Sequence, residues 1–194
     1  MDNDMKYVAE CSKVIKRFCM EWRENPFFWS SEIEIQAELY CRLMSIFKDD
    51  EKIVEAHYTG WKLAEGQKRK WQRVCCEWPR YYIDDASKTR KLCRPDIIVW
   101  KSEPESLSPM NVKSEEDKGN FPILLAIEIK TDMSNRGLQE KSKGDEDKLT
   151  KLISYNDVNY ACVINFHFQH GNKDCKELDL LSKEVKVVHV DWGF

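Results

Sequence analysis

Two short apolar segments, residues 94–100 and residues 123–130, carry charged side chains where a buried strand should have none. Both are rich in β-branched residues, which predicts buried β-strands. Asp96 lies near the start of the first segment, and Glu128 and Lys130 lie at the end of the second. Because side chains alternate faces along a strand, Glu128 and Lys130 point to the same side. Charges gathered on one sheet face cost desolvation free energy unless a partner compensates them.

A divalent cation is the natural partner for two carboxylates on such a face. Magnesium prefers hard oxygen ligands, which Asp96 and Glu128 provide. Beside a metal ion, the ammonium group of Lys130 can serve an attacking water or a phosphate. The pattern therefore indicates hydrolytic chemistry at the ends of two neighbouring strands.

The sequence Pro95-Asp96, followed on the second strand by Glu128-Ile129-Lys130, resembles the signature of the PD-(D/E)XK nuclease superfamily. The resemblance implies an α/β, restriction-endonuclease-like αβββαβ core with a central mixed sheet flanked by helices, plus an N-terminal helix and a C-terminal strand. It implies that Asp96, Glu128 and the backbone carbonyl of Ile129 bind the metal. Lys130 would orient or activate the attacking water, or hold a phosphate oxygen. The implied cofactor is Mg²⁺, as one ion or two, with Mn²⁺ as a substitute.

In the resembled superfamily the first core helix often adds a glutamate to the metal site. Here that helix is predicted over residues 32–47, after N-cap candidates at positions 30 and 31 and with an acidic first turn. Glu32 is adjacent to the buried apolar stripe and is the preferred candidate. Glu34 and Glu38 are alternatives, and a capping or solvated role explains all three acids equally well.

The rest of the chain is predicted to supply the elements of one domain over residues 1–194. Its parts are a helical extension over 1–29, a core over 30–170 and a flexible insertion loop over 101–120. Apolar periodicity and turn residues predict the other elements. Before the first motif strand they are a helix over 4–22, a short strand then a helix within 53–70, and a first core strand over 73–82 followed by a loop at 84–91. After the second motif strand they are a polar loop over 131–144, a helix over 145–156 capped by Asp145, a strand over 160–168 and an edge strand over 185–192.

Charge is distributed unevenly along the chain. The net charge of −3 excludes a globally basic coat for nucleic acid. Residues 62–94 nevertheless contain ten lysines and arginines against four acids. Such a local excess favours a phosphate-contacting face, although solvated strand edges and loops explain it equally well. The candidate nucleic-acid-binding residues are Lys68, Arg69, Lys70 and Arg94.

Several other classes of protein are disfavoured. The eight cysteines include no Cys-x-x-Cys spacing, which argues against zinc. No run approaches the roughly 20 apolar residues that cross a bilayer, and the N-terminus lacks the plan of a signal peptide. We therefore expect a cytoplasmic protein with no membrane partner and with reduced thiols. His167, His170 and His189 are more typical of ordinary hydrogen bonds than of a metal site, because a third ligand is missing.

The leading functional prediction is a Mg²⁺-dependent nuclease that hydrolyses phosphodiester bonds in DNA, an endonuclease of restriction, repair or defence type. The alternative is a catalytically silent module of the same fold that binds nucleic acid or a protein partner. The complete set of Asp96, Glu128 and Lys130 favours cleavage, whereas the modest overall charge and the aromatic N-terminal section favour the alternative. A homodimer is compatible with the resemblance, by analogy at the level of the fold.

Overall fold

The computed structural model describes residues 3–48, 52–55, 68–71, 73–77, 80–83, 87, 89–101, 123–132, 138–154, 158–176, 178–182 and 184–193. These residues form a mixed α/β fold with three α-helices and a mixed five-stranded sheet. The elements in chain order are α1 (Asn3–Glu24), a 3₁₀ turn (Pro26–Phe28), α2 (Glu32–Ile46), β1 (Lys52–Glu55), β2 (Lys68–Trp71), β3 (Val74–Cys76), β4 (Arg80–Ile83), β5 (Arg90–Cys93), β6 (Ile97–Trp100), β7 (Ile123–Asp132), α3 (Leu138–Ser154), β8 (Val158–His170) and β9 (Lys186–Trp192).

The five-stranded sheet has the strand order β3-β6-β7-β8-β9. The pairs β3–β6 and β6–β7 are antiparallel, whereas β7–β8 and β8–β9 are parallel. Parallel neighbours need a crossover connection, and α3 provides it between β7 and β8. β9 lies at an edge of the sheet, as the sequence predicts. The pairs β1–β2 and β4–β5 form two separate antiparallel ribbons.

Helices cover both faces of the sheet because each has an apolar stripe to bury. On one face α1 and α2 pack over the strands, and the predicted stripe of α1 is confirmed as part of the core, with five fully buried members: Val8, Ile15, Phe18, Cys19 and Trp22. On the other face α3 packs through Leu149 and Leu152. The N-terminal helix is therefore a layer of the core. No helix in the described ranges is long and apolar enough to cross a membrane.

A capping box fixes where α2 begins. The Ser31 hydroxyl accepts a hydrogen bond from the Glu34 N–H at 3.3 Å, and the Glu34 carboxylate accepts one from the Ser31 N–H at 3.0 Å. This reciprocal pair satisfies N–H groups that a helix start leaves without partners. Glu32 is therefore held in the first turn, next to the sheet.

The structure corrects the predicted strand over residues 73–82. β3 ends at Cys76, and Glu77 then adopts a positive φ of 52°. The chain continues into β4, which pairs with β5 in a separate ribbon, so the predicted loop at 84–91 overlaps β5. The short strand predicted within 53–70 is present as β1, whereas β2 replaces the end of the predicted helix. The rest of that helix and residues 102–120 of the insertion loop lie outside the described residues.

The polar loop predicted over residues 131–144 and the helix start at Asp145 are also wrong. β7 runs to Asp132 and α3 begins at Leu138, so Asp145 is two turns inside the helix and does not cap it. The residues before Leu149 lack an apolar pattern, although Ser142 among them is buried against the sheet. Ser142 accepts a hydrogen bond from the buried Asn165 amide at 2.9 Å. Apolar periodicity alone therefore misses these turns.

Gly171, which follows β8, tests the packing at the end of the parallel strands, and Gly144 of α3 provides a contrast. A Cβ atom at Gly171 would overlap the Asp191 carboxylate, which is buried and accepts a hydrogen bond from the Lys173 N–H at 3.1 Å. We expect Gly171→Ala to lower the free energy of unfolding by about 1–3 kcal/mol, the usual cost of overpacking. A Cβ atom at Gly144 of α3 meets nothing within 4 Å, so Gly144→Ala should raise stability by up to about 1 kcal/mol. Urea unfolding measures the free energy of unfolding of both variants. Equal values for Gly171→Ala and Gly144→Ala would contradict the close contact between Gly171 and Asp191.

Candidate active site

Charged groups from α2, α3 and the two motif strands converge around Lys130. Its Nζ forms ion pairs with four carboxylates: Glu32 Oε1 at 3.4 Å, Asp145 Oδ2 at 3.5 Å, Glu128 Oε2 at 3.6 Å and Asp96 Oδ2 at 3.8 Å. We call these five residues the Lys130 cluster. Three of its four acids are the ones that the sequence singles out.

Sheet register brings the two motif strands together at this point. β6 pairs antiparallel with β7 so that Ile97 lies opposite Ile127, which places Asp96 beside Glu128. The Asp96 Oδ2 accepts a buried hydrogen bond from the Ile129 N–H at 2.6 Å. Ile127 and Ile129 enter the core under α1 and α2, while the alternate residues face α3.

The Ile129 carbonyl is also part of the site. It accepts a hydrogen bond from Lys130 Nζ at 2.8 Å. The oxygen that the resemblance assigns to a metal ion is thus in contact with the lysine ammonium. Lys130 and a cation would compete for it.

Burial makes the two motif carboxylates hard to ionise. Glu128 is 4% exposed and Asp96 is 7% exposed. Burial, followed by the charges of Asp96 and Asp145, raises the pKa of Glu128 to about 9. Burial also raises the pKa of Asp96, an effect that Lys130 and the Ile129 N–H only partly offset. Glu128 therefore carries a proton at neutral pH when only lysines balance the acids.

Lys130, in contrast to Glu128, keeps its charge in this structure. Burial alone would lower the pKa of Lys130, but the surrounding carboxylates, led by Asp96 and Glu128, raise it above its ordinary value. Lys130 is consequently an ammonium and a hydrogen-bond donor, not a base. Asp145 also pairs with Lys148, whose Nζ lies 2.5 Å from its Oδ1. The cluster thus contains four carboxylates and the ammonium of Lys130, and it contacts a second ammonium, that of Lys148.

An open cleft of about 530 Å³ gives solvent access to the cluster. The strand side of the cleft includes Glu77, Leu92 and Arg94, and α3 contributes Asp145 and Lys148. Lys148 is 40% exposed along its side chain and Arg94 is exposed, so both cations can meet a ligand from solution. Arg94, Lys148 and Lys130 thus place three cationic side chains along the lining of one cleft.

The structure separates the three glutamates of α2 that the sequence leaves open. Glu32 reaches Lys130, as described above. Glu34 caps its own helix through Ser30 and Ser31. Glu38 pairs with Arg42 at 2.7 Å, away from the cluster.

The candidate nucleic-acid-binding residues have different outcomes. Arg94 lines the cleft. Lys68, Arg69 and Lys70 belong to β2, but their side chains lie outside the described part of the structure. Phosphate contacts by these three side chains stay a prediction.

Sequence reasoning did not assign three charged residues of the cleft to the site: it favoured a surface role for Glu77, predicted Asp145 as a helix cap and gave Lys148 no role. A signal for Asp145 does exist: it lies four and seven residues before Leu149 and Leu152, on the inward stripe of α3. A buried-face acid at that spacing points into the sheet. Nothing local marks Glu77, whose turn is set by contacts with other elements.

Two further observations bear on metal binding. No group of three or more His, Cys, Asp or Glu side chains that could hold a metal ion is found among the described residues. His167 Nε2 lies 2.9 Å from His189 Nδ1, an ordinary hydrogen bond between neighbouring strands. In the Lys130 cluster the ammonium lies 3.4–3.8 Å from an oxygen of each of the four carboxylates.

Comparison with known proteins gave no match to a family model, to a curated protein or to a solved structure. Membership of the PD-(D/E)XK superfamily therefore stays a prediction. The function has to be argued from the geometry and charge of the cluster itself.

The raised pKa of Glu128 predicts a pH-dependent stability. A carboxyl group whose pKa rises on folding costs stability once it must ionise, so the free energy of unfolding falls as the pH rises from about 4.5 to about 9. With a chelator present, we expect Glu128→Gln to reduce this fall and to raise Tm at the alkaline end, by about 2–4 °C for each kcal/mol relieved. Glu184, 86% exposed along its side chain, provides the control Glu184→Gln, which should follow the wild type. Identical pH profiles of stability for Glu128→Gln and Glu184→Gln would contradict the raised pKa of Glu128.

Proposed function

We propose that this protein is a divalent-metal-dependent nuclease that hydrolyses phosphodiester bonds in DNA, with a restriction-endonuclease-like core of the PD-(D/E)XK type. The observation that carries the proposal is the convergence of Asp96, Glu128 and Lys130, joined by Glu32, around one point in an open cleft. The order of the elements around the sheet supports it. That order, α2-β3-β6-β7-α3-β8, matches the succession of helix, three strands, helix and strand that the resemblance implies.

The cluster suits Mg²⁺ or Mn²⁺ in donor chemistry and in charge. Carboxylate and carbonyl oxygens are the ligands that these ions prefer. When all are ionised, four carboxylates against two ammonium groups leave two negative charges, which is the charge that one divalent ion balances. Asp96, Glu128 and the Ile129 carbonyl would hold the ion, with Glu32 as a further ligand directly or through water. Lys130 Nζ must then move out of the centre of the cluster.

Each residue then has a distinct part in hydrolysis. The reaction needs an activated water and donors that balance the charge on phosphorus, and a bound metal supplies a Lewis acid for both. Lys130 would orient the water or hold a non-bridging phosphate oxygen through Nζ. Asp145 lies outside the ligand set that the resemblance implies; its Oδ2 lies 3.5 Å from Lys130 Nζ in the structure, so we assign it the role of an anionic partner for the lysine.

Binding of DNA would rely on cations around the cleft, because the whole chain is slightly acidic. Arg94 and Lys148 line the cleft and are the first phosphate contacts that we assign. Lys68, Arg69 and Lys70 of β2 stay predicted phosphate contacts. We also propose that the protein cuts as an endonuclease and that it is located in the cytoplasm.

A second candidate function is a nuclease-fold module that binds a partner without cutting. It is favoured by an exposed apolar segment just before and after Glu32. Phe27 is 69% exposed, Phe28 is 72% exposed and Ile33 is 75% exposed. Exposed apolar patches of this kind often mark interaction sites.

A plasmid assay distinguishes the two candidates. Wild-type protein with Mg²⁺ or Mn²⁺ should nick supercoiled plasmid, and a chelator should stop the reaction. We expect Asp96→Asn, Glu128→Gln and Lys130→Met each to lower the rate by about 100-fold or more, the usual loss when one charge-stabilising group is removed. Equal nicking by wild type and Lys130→Met would refute this site. Binding of the plasmid without any cutting would support the binding module instead.

Glu32 and Glu38 provide a matched pair on one helix. Glu32 contacts Lys130, whereas Glu38 pairs with Arg42. We expect Glu32→Gln to lower the nicking rate by about 10–100-fold, as for other groups that support a metal site. Glu38→Gln should cut like the wild type. Rates measured at several Mn²⁺ concentrations test this, and a reversed order of the two variants would contradict the assignment.

A further inference from the structure

Gln36 lies one turn after Glu32 on the same side of α2. Its Nε2 donates a hydrogen bond to the main-chain carbonyl of Asp96 at 2.7 Å and another, at 3.5 Å, to Glu77 Oε1. α2 therefore contacts both motif segments. Glu32 meets Lys130 on β7, and Gln36 meets Asp96 ahead of β6.

The Asp96 carbonyl accepts a second hydrogen bond, from the Glu77 N–H at 3.2 Å. Glu77 is the one non-glycine residue with a positive φ in the described ranges, at 52°. This left-handed conformation is unfavourable for a residue with a Cβ atom, and it persists only when its surroundings stabilise it. Here it ends β3 and lets the Glu77 N–H reach Asp96.

Asp96 is thus fixed from two directions. Its carboxylate accepts from the Ile129 N–H at 2.6 Å, and its carbonyl accepts from Gln36 and Glu77. The side chain and the carbonyl are both attached to the Cα atom of Asp96, so hydrogen bonds that hold the carbonyl restrain the Cα atom from which the carboxylate extends. Metal ligands need placement to within about 0.5 Å. Groups that orient such ligands change metal affinity or activity by about 10–100-fold when they are removed.

We propose that Gln36 is a positioning residue, whose side-chain amide sets the place of the Asp96 carboxylate relative to Glu128 by holding the Asp96 carbonyl against Glu77. The inference rests on the proposed nuclease function and deepens it. Gln36 acts through Asp96 and is assigned no contact with metal or DNA. Its role is to fix the distance between two acids that come from different strands.

The test removes the amide and then restores a donor. Gln36→Met and Gln36→Leu remove the hydrogen bonds at a half-buried position, and Gln36→Lys restores an N–H donor of similar reach. Binding of Mn²⁺ alone is measured by calorimetry, and plasmid nicking is measured over a range of Mn²⁺ concentrations. We expect the Met and Leu variants to bind Mn²⁺ about 10–100-fold more weakly and to need correspondingly more Mn²⁺ for half-maximal nicking. Gln36→Lys should recover most of the loss, and Glu38→Gln should match the wild type.

Each other outcome has a defined meaning. Wild-type Mn²⁺ affinity in both Gln36→Met and Gln36→Leu would overturn the positioning role, whatever their Tm. Equal weakening in Gln36→Lys at high ionic strength, where repulsion between the added ammonium and Mn²⁺ is screened, would overturn it too. A wild-type protein that neither binds Mn²⁺ nor cuts would overturn the proposed function and the inference together. A wild type that does both, with unaffected Gln36 variants, would overturn the inference alone.

Discussion

The ammonium of Lys130 among four carboxylates is the interaction on which the described structure depends. Its partners come from α2, from the segment before β6, from β7 and from α3, so the cluster joins helices on both faces of the sheet. Burying ions costs several kcal/mol each unless geometry compensates, and apolar residues of similar volume are often as stable or more so. A protein that needed only stability would have little reason to keep this arrangement. The cost is therefore our strongest physical argument that the cluster has a function.

The position of the cluster in the sheet follows from β7. This strand is antiparallel to β6 and parallel to β8, so the strand pairing of the sheet changes from antiparallel to parallel at β7. The antiparallel side supplies Asp96 through a neighbouring strand, and the parallel side requires the α3 crossover that supplies Asp145. Ligands in open α/β sheets bind outside the carboxyl ends of strands, where connections diverge. The cleft beside Lys130 lies at the corresponding point of this fold.

Local signals in the sequence predict much of this arrangement, and tertiary contacts account for what they miss. The stripe of α1, the cap of α2 and the alternation of Glu128 and Lys130 are each visible in a few consecutive residues. Asp145 is not, because the polar turns before Leu149 hide the start of α3. The turn at Glu77 has no local signal, since glutamate does not favour a positive φ and the conformation is held by the Asp96 carbonyl. Likewise, only the packed structure distinguishes Glu32 from the other acids of its helix.

The alternation of charge along β7 also bears on how the sheet reaches one alignment. β6 and the first residues of β7 are buried on both faces and could pair in several offsets with similar apolar contact. A shift of one residue would turn Glu128 and Lys130 into the layer beneath α1 and α2 and bring Ile129 out of it. That misalignment would bury two charges among aliphatic side chains. Glu128 and Lys130 therefore help to select one strand register. Replacing both residues by apolar ones would remove the desolvation cost that disfavours the shifted register.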